Sequence, residues 1–324
     1  MIRNQWYAVL DSKELKKGKL LGVTRLGEKL VFWRDKENKI GCIYDRCVHR
    51  GASLSKGKLL SNNMVQCPFH GFEYDETGKV TKIPAIGQDA KVPARYKVNS
   101  YPVRDNYGLI WLWWGDQRDE YPPLPFFEDL AEGFKYATLV DHWPVHYSRA
   151  IENQLDVVHL PFVHYNTIGR GCKTLIDGPI VEVEDNKILT WVFMRKDDGS
   201  KPLKAEELQK PNRPALLHFH FGNVWQNRLA DNFRIFAAFV PVDEENTLIY
   251  LRLYQKFLRT PILGGLVTRF SHIFNRKILN QDKSVVLTQI PKKSELKIDE
   301  KLIQGDRPII EYRRLRDELK KANN

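Results

Sequence analysis

CVHRGASLSKGKLLSNNMVQCPFHGF, residues 47–72, places two of the chain's four cysteines shortly ahead of two of its nine histidines. The order is Cys47-x-His49, seventeen residues, then Cys67-x-x-His70. Each pair offers one thiolate and one imidazole, which is a metal-ligand set. Tetrahedral zinc uses such a set. So does a [2Fe–2S] centre in which two imidazoles replace two thiolates on one iron. With cysteine before histidine in both pairs, Cys47 and Cys67 can serve one iron and His49 and His70 the other. Neutral imidazoles remove negative charge from such a cluster and raise its potential. Gly51, Pro68 and Gly71 suit tight loops whose amides point at sulfur. Spacing and neighbours therefore favour iron–sulfur chemistry over zinc.

The surrounding composition is that of a globular protein. The 324 residues are 42% hydrophobic and 28% charged, enough for about two domains with a sizeable core. The first twenty residues lack the apolar core of a secretory signal. The run TPILGGLVTRFSHIF is broken by Arg269 and His272, so it is too short and too polar to span a bilayer. No membrane is expected, and the location expected is cytoplasmic. Four cysteines make no disulfide framework, and a reducing compartment keeps thiolates available as ligands. Cys42 and Cys172 are expected to be buried, inert thiols. The formal charge is +11, but Lys and Arg are scattered among acids and aromatics do not interleave with them. Nucleic acid is thereby disfavoured. An acidic protein partner or a plain solvated surface accounts for the charge.

Residues from about 5 to 115 read as short strands between turns, as in LVFWRD, IGCIYD and GLIWLWWGD. DKENKIG and DETGK suit hairpin turns, with Gly78 supplying a positive φ. WLWW (111–114) reads as core. The proline-rich stretch GDQRDEYPPLPFFEDL marks a boundary, giving domains 1–118 and 119–324. Beyond it, SRAIENQLDVVHLPFVH reads as a helix that fails near Leu160-Pro161. Residues 178–255 return to strand patterns of an antiparallel sheet. Helices near 262–290 and 308–322 close the chain. The fold class is α+β: a small all-β domain, then an antiparallel sheet flanked by helices in a helix-grip-like arrangement.

ENQLDVVHLPFVH, residues 152–164, holds a second constellation. Asp156 and His159, three apart, share a helix face. His159 and His164 would diverge on a regular helix, but loosening at Pro161 lets both rings converge on one ion. Two imidazoles and one carboxylate form the facial triad of non-haem Fe(II) oxygenases. Asp282, in NRKILNQDKSVVLTQ, is the candidate carboxylate. Glu152 is too near His159 to complete a facial set, and Asp156 is better placed to orient His159. His218 and His220 alternate on a strand and share one face, read as packing or pocket polarity. His142 and His146 receive no role.

CVHRGASL and CPFHGFEYDETGK resemble the two cluster-binding loops of Rieske proteins. With the N-x-x-D-x-x-H-x-x-x-x-H run of Asn153, Asp156, His159 and His164, nearly the whole chain resembles the oxygenase (alpha) component of Rieske non-haem iron oxygenases, in the vanillate O-demethylase-like branch. The resemblance implies a Rieske [2Fe–2S] cluster on Cys47, His49, Cys67 and His70. It implies a mononuclear Fe(II) on His159, His164 and Asp282, with Asn153 near the iron without ligating it. Asp156 would bridge His159 to His70 of a neighbouring subunit's cluster in a head-to-tail homotrimer. Electrons would come from a ferredoxin or a flavin-dependent NAD(P)H reductase, since no G-x-G-x-x-G follows a strand here. Arg46, Arg50, Lys56 and Lys58 flank the cluster loops and could dock an acidic donor. The implied reaction is monooxygenation, as hydroxylation or O/N-demethylation, of a small aromatic or cyclic substrate with O₂. Ring cis-dihydroxylation is the alternative enzyme reading. A non-catalytic Rieske electron-transfer protein is the alternative from another class, and it would need no facial triad.

Overall fold

The computed structural model describes residues 1–256 and 261–323, with 261–272 by backbone alone. Thr260 and the side chains of 261–272 in the TPILGGLVTRFSHIF run thus lie outside the described residues. Among the described residues no helix is long and apolar enough to cross a membrane. The chain divides into two compact units. One is Asn4–Leu124 with Pro241–Asp243; the other is Met1–Arg3, Pro125–Val240 and Glu244–Asn324. The proline-rich crossing, expected to open the second domain from residue 119, belongs to the first unit as far as Leu124.

The smaller unit is built from β1 (Gln5–Asp11), β2 (Lys19–Arg25), β3 (Glu28–Arg34), β4 (Ile40–Tyr44), β5 (Lys58–Leu59), β6 (Val65–Gln66), β7 (Glu73–Tyr74), β8 (Val80–Lys82), β9 (Val103–Asn106) and β10 (Leu109–Trp114). They form antiparallel sheets ordered β1-β10-β9, β2-β3-β4 and β5-β6-β7-β8. Trp111 and Trp113 are fully buried on β10, each the kind of aromatic burial that contributes roughly 1.5–3 kcal/mol. The two hairpin turns form as the sequence suggests: Asn38 and Gly78 take positive φ, 71° and 79°. Val31, Trp33, Ile43, Leu54, Val65 and Tyr74 make a core that includes Cys47 and Cys67. The cluster-loop cysteines are thus anchored in packed structure, not at free tips.

The larger unit follows as β11 (Lys135–Trp143), α1 (Tyr147–Leu155), α2 (Leu160–Val163), β12 (Leu175–Glu184), β13 (Lys187–Arg195), β14 (Leu217–His220), β15 (Val224–Ala230), β16 (Phe233–Pro241), β17 (Thr247–Gln255), α3 (Pro261–Val286) and α4 (Arg307–Ala322). Its strands make one seven-stranded sheet ordered β11-β17-β16-β15-β14-β13-β12. β11 was not anticipated from the sequence. It pairs antiparallel with β17 over its full length, from Lys135 opposite Gln255 to Trp143 opposite Thr247. The sheet packs its apolar face, including Ile188, Phe219 and Phe239, on helical residues such as Ile151, Leu155, Leu279 and Tyr312. On α3, Leu279, Asp282 and Val286 are each 2–3% exposed. That spacing is one helix face, so the carboxylate rides on an apolar stripe turned into the core.

Candidate metal centres

The two cluster loops share one frame. The Cys47 carbonyl accepts from the Gly51 amide at 2.9 Å, and the Cys47 amide donates to Ala52 O at 2.8 Å. The Cys67 carbonyl accepts from the Gly71 amide at 3.2 Å, and the Cys67 amide donates to Phe72 O at 2.8 Å. Both glycines sit at positive φ, 75° and 73°, which a side chain would strain. His49 is the second residue after its cysteine and His70 the third, yet this common frame brings their Nδ1 atoms to 3.2 Å. Two imidazole nitrogens on one tetrahedral ion, at about 2.1 Å each, stand about 3.4 Å apart. The imidazoles therefore fit a shared metal without rearrangement.

The thiols pair with each other. Cys47 and Cys67 are 3% and 2% exposed, whereas His49 is exposed at the loop tip. Burial pushes the Cys67 thiol up; the amides of Phe69 and His70, which donate to it, pull the other way. Tyr74 Oη donates to Cys47 Sγ at 3.1 Å and accepts from the Val48 amide at 3.0 Å. Burial, then the neighbouring Cys47, holds that phenol protonated well above its usual range. A hydrogen bond to a ligand sulfur is one of the levers on cluster potential. Thiol beside thiol and imidazole beside imidazole make two half-sites, which suits a binuclear cluster better than one zinc.

At the second centre the helix expected to reach Leu160 ends earlier. α1 stops at Leu155, and Asp156 is extended at φ −69°, ψ 128°. Asp156 Oδ1 accepts from the amides of Val158 at 2.6 Å and His159 at 3.3 Å, an Asx-type turn. Asp156 and His159 therefore meet across a turn, not on a helix face: Oδ2 stands 3.4 Å from His159 Nδ1, an ionic contact without hydrogen-bond alignment. Pro161 breaks nothing. It lies in the first turn of α2, where a missing amide costs no bond. The competing influence was the Asp156 side chain, which offers the backbone an alternative to continuing the helix.

His159 and His164 then face one carboxylate. His164 Nε2 lies 2.9 Å from Asp282 Oδ1, and His159 Nε2 lies 3.4 Å from the same oxygen. Among the described residues these three form the one set of ligand atoms converging on a point, all within 4.8 Å of one another. Neighbouring ligands of an octahedral ion at about 2.1 Å stand about 3.0 Å apart. The set thus fits a facial triad with open positions. Burial is the largest influence on His159 and opposes its charge, but Asp156 and Asp282 raise it to about 9. Burial likewise opposes the Asp282 charge, and His159 and His164 still hold its carboxyl below the usual range.

Asn153 Nδ2 donates to Asp282 Oδ1 at 3.2 Å, so it addresses the carboxylate. Three contributors were not read from the sequence. Gln281 Oε1 accepts from Thr167 Oγ1 at 2.9 Å and stands 3.1 Å from His164 Nδ1, leaving Nε2 for the ion. Glu152, set aside as a ligand, takes Arg149 Nη1 at 3.1 Å and Arg313 Nε at 2.7 Å in a buried ion network. His146 caps α1: its Nδ1 accepts from the Ser148 amide at 3.2 Å. The adjacency of Gln281 to Asp282 was the sole available signal for the first; the others need tertiary contacts. Cys172 is exposed, against expectation, in the loop after α2.

A cavity of about 250 Å³ opens at the triad, walled mainly by apolar side chains including Val192, Met194, Trp225, Leu251 and Ile278. His218 and His220 are not among its walls. His218 is bonded to Ala215 O at 2.9 Å and His220 packs on Phe127, so the pair is structural.

The family model of the Rieske [2Fe-2S] domain matches residues 5–102, and that of the vanillate O-demethylase oxygenase C-terminal domain matches residues 143–322. The chain belongs to the vanillate O-demethylase branch of the Rieske oxygenase family. The cofactors of this Rieske oxygenase family member are therefore a [2Fe–2S] cluster and a mononuclear iron. It is 27% identical over 332 residues to Protein TIC 55 of Pisum sativum chloroplasts, covering 97% of this chain and 58% of that protein. It is 32% identical over 195 residues to a vanillate O-demethylase oxygenase subunit of a Pseudomonas species, covering 59% of this chain and 53% of that one. It therefore spans less than two thirds of the length of these curated relatives. The fold is that of dicamba monooxygenase bound to dicamba, with a TM-score of 0.76 at 21% identity, over 99% of this chain and 98% of that one. NdmA of Pseudomonas putida CBB5 with caffeine gives 0.75 at 23% identity, over 99% and 91%.

Proposed function

We propose that this Rieske oxygenase monooxygenates a small aromatic or cyclic molecule, by hydroxylation or by O- or N-demethylation. The observation that carries the reading is the convergence of His159, His164 and Asp282 on one point at an apolar cavity. When bound, the cluster supplies single electrons and the ferrous ion supplies open positions for O₂ activation. Cys47, His49, Cys67 and His70 would hold the cluster; His159, His164 and Asp282 would hold the iron. Gln281 fixes the His164 ring, and Asn153 fixes the Asp282 carboxylate. The apolar walls exclude water and seat the substrate beside the open positions.

Electrons would arrive from a ferredoxin or a flavin-dependent NAD(P)H reductase. Exposed Arg46, Arg50, Lys56 and Lys58 flank the cluster loops and suit an acidic donor. We also propose a homotrimeric ring acting in the cytoplasm, in which Asp156 links His159 to His70 of the partner subunit.

The test is a screen of methoxy- and N-methyl-arenes with a surrogate reductase, following O₂ uptake and formaldehyde. Substrate-dependent formaldehyde release is expected. Anaerobically purified protein should carry about three irons and two acid-labile sulfides per chain. Cluster reduction with no substrate-dependent O₂ uptake would leave an electron-transfer protein instead.

A further inference from the structure

Helical segments and the sheet both wall the iron cavity. The helical side brings His159, His164 and Asp282, and the sheet brings Trp225 and Asn227 of β15 with Leu217 and Ile235 beside them. Two apart on one strand, Trp225 and Asn227 turn to the same face. Trp225 Nε1 and Asn227 Oδ1 are both buried, and neither has a hydrogen-bond partner among the described residues. The indole is 3% exposed, so bulk water does not reach it. Other polar groups at this cavity are engaged: Asn153 with Asp282 and Gln154, Asp156 with the Val158 amide and His159. No Lys or Arg is among the described lining residues.

A buried donor or acceptor without a partner is costly and rare, so an open pair on the wall of one cavity marks where a ligand completes it. One donor beside one acceptor matches a hydroxyl, whose oxygen accepts and whose hydrogen donates. An apolar cavity of roughly 150 Å³ holds a benzene ring, so about 250 Å³ admits one ring with one or two small substituents. We infer that the iron cavity takes a neutral single-ring substrate bearing a hydroxyl, which accepts from Trp225 Nε1 and donates to Asn227 Oδ1. Held at the sheet, the ring presents its other end to the triad. With no cation in the described lining, an ionised substituent would lose its hydration with nothing in return. The inference rests on the monooxygenase reading for its ring substrate, but not on turnover for its test.

Two probes, 4-methoxyphenol and 4-methylanisole, set a hydroxyl against a methyl of similar size, and both are neutral at about pH 7. Titrated calorimetrically into the iron-loaded full chain without O₂, the phenol should bind about 20-fold more tightly. Trp225→Phe keeps an aromatic wall without its N–H, and Asn227→Leu keeps the bulk without the acceptor. Each should cut the preference about fivefold, with 4-methylanisole little changed. Cluster absorbance and iron content check that each variant folds. Equal affinities, no binding of the phenol, or a preference that a folded variant leaves intact would overturn the inference. Demethylation of both probes with no hydroxyl preference in binding would sink this proposal and leave the monooxygenase reading standing; hydroxyl-selective binding without turnover would do the reverse.

Discussion

At Gln281 a neutral amide sets which nitrogen of His164 would face a metal. With Oε1 at 3.1 Å from Nδ1, a proton on that nitrogen is held there and Nε2 is left for the proposed ion. Replacing Gln281 with Leu should weaken iron retention about 10- to 100-fold, as loss of a ligand's supporting contact usually does. Iron release to a chelator, with unchanged cluster absorbance as the internal control, measures it. Unaltered retention would show that packing alone sets the ring. The candidate ligands were legible because cysteine and histidine occur as tight pairs, and only a few residue types bind iron. Gln281 was not, because a glutamine on a helix is ordinarily solvated and nothing local marks it as aimed at a ring 117 positions away.

At the level of elements, α1 is positioned from both ends. Arg149 and Glu152 tie it to Arg313 on α4, with Glu300 taking both arginines at 2.7 and 2.6 Å. Glu152→Ala removes one of the two carboxylates these buried guanidinium groups share, and unfolding in urea should register a loss of about 1.5–3 kcal/mol. At the other end His146 caps the helix only while neutral. Burial, then the cations of Arg316, Lys293 and Lys320, lowers its pKa to about 2. The unfolded chain, with an ordinary histidine near pH 6.5, binds a proton that the folded chain refuses. Stability is therefore full above about pH 6.5 and falls as pH drops toward 2, by up to about 1.4 kcal/mol per unit. His146→Asn keeps a capping acceptor without the titration, so its urea midpoints between pH 7 and 5 should decline less than those of the parent. Identical slopes would place the titration elsewhere. The sequence showed a helix at α1, but put its end near Pro161. Proline is a breaker only inside a helix, whereas here it starts one, and the Asp156 turn ends α1 first.

For the whole molecule, the proposed ring would carry electrons from one centre to the other through Asp156. Asp156→Asn keeps the oxygen that accepts the Val158 and His159 amides but removes the charge beside His159. If Asp156 bridges subunits in a trimeric ring, this variant should retain three irons per chain and its assembly size by light scattering, while coupled O₂ uptake collapses. Near-parental uptake would remove the bridge.

The chain's order alone determined the ligand types, the two loop pairs and the run that marks the oxygenase branch. These are local features, set by side-chain chemistry and by loops that close over five residues through their own backbone. Tertiary structure alone decided that the candidate carboxylate Asp282, 118 positions from His164 in sequence, comes within 2.9 Å of that ring, that β11 completes the sheet, and that an apolar cavity opens beside them. Those outcomes depend on which faces of α3 and the sheet turn inward, and burial of a face is a property of everything packed against it.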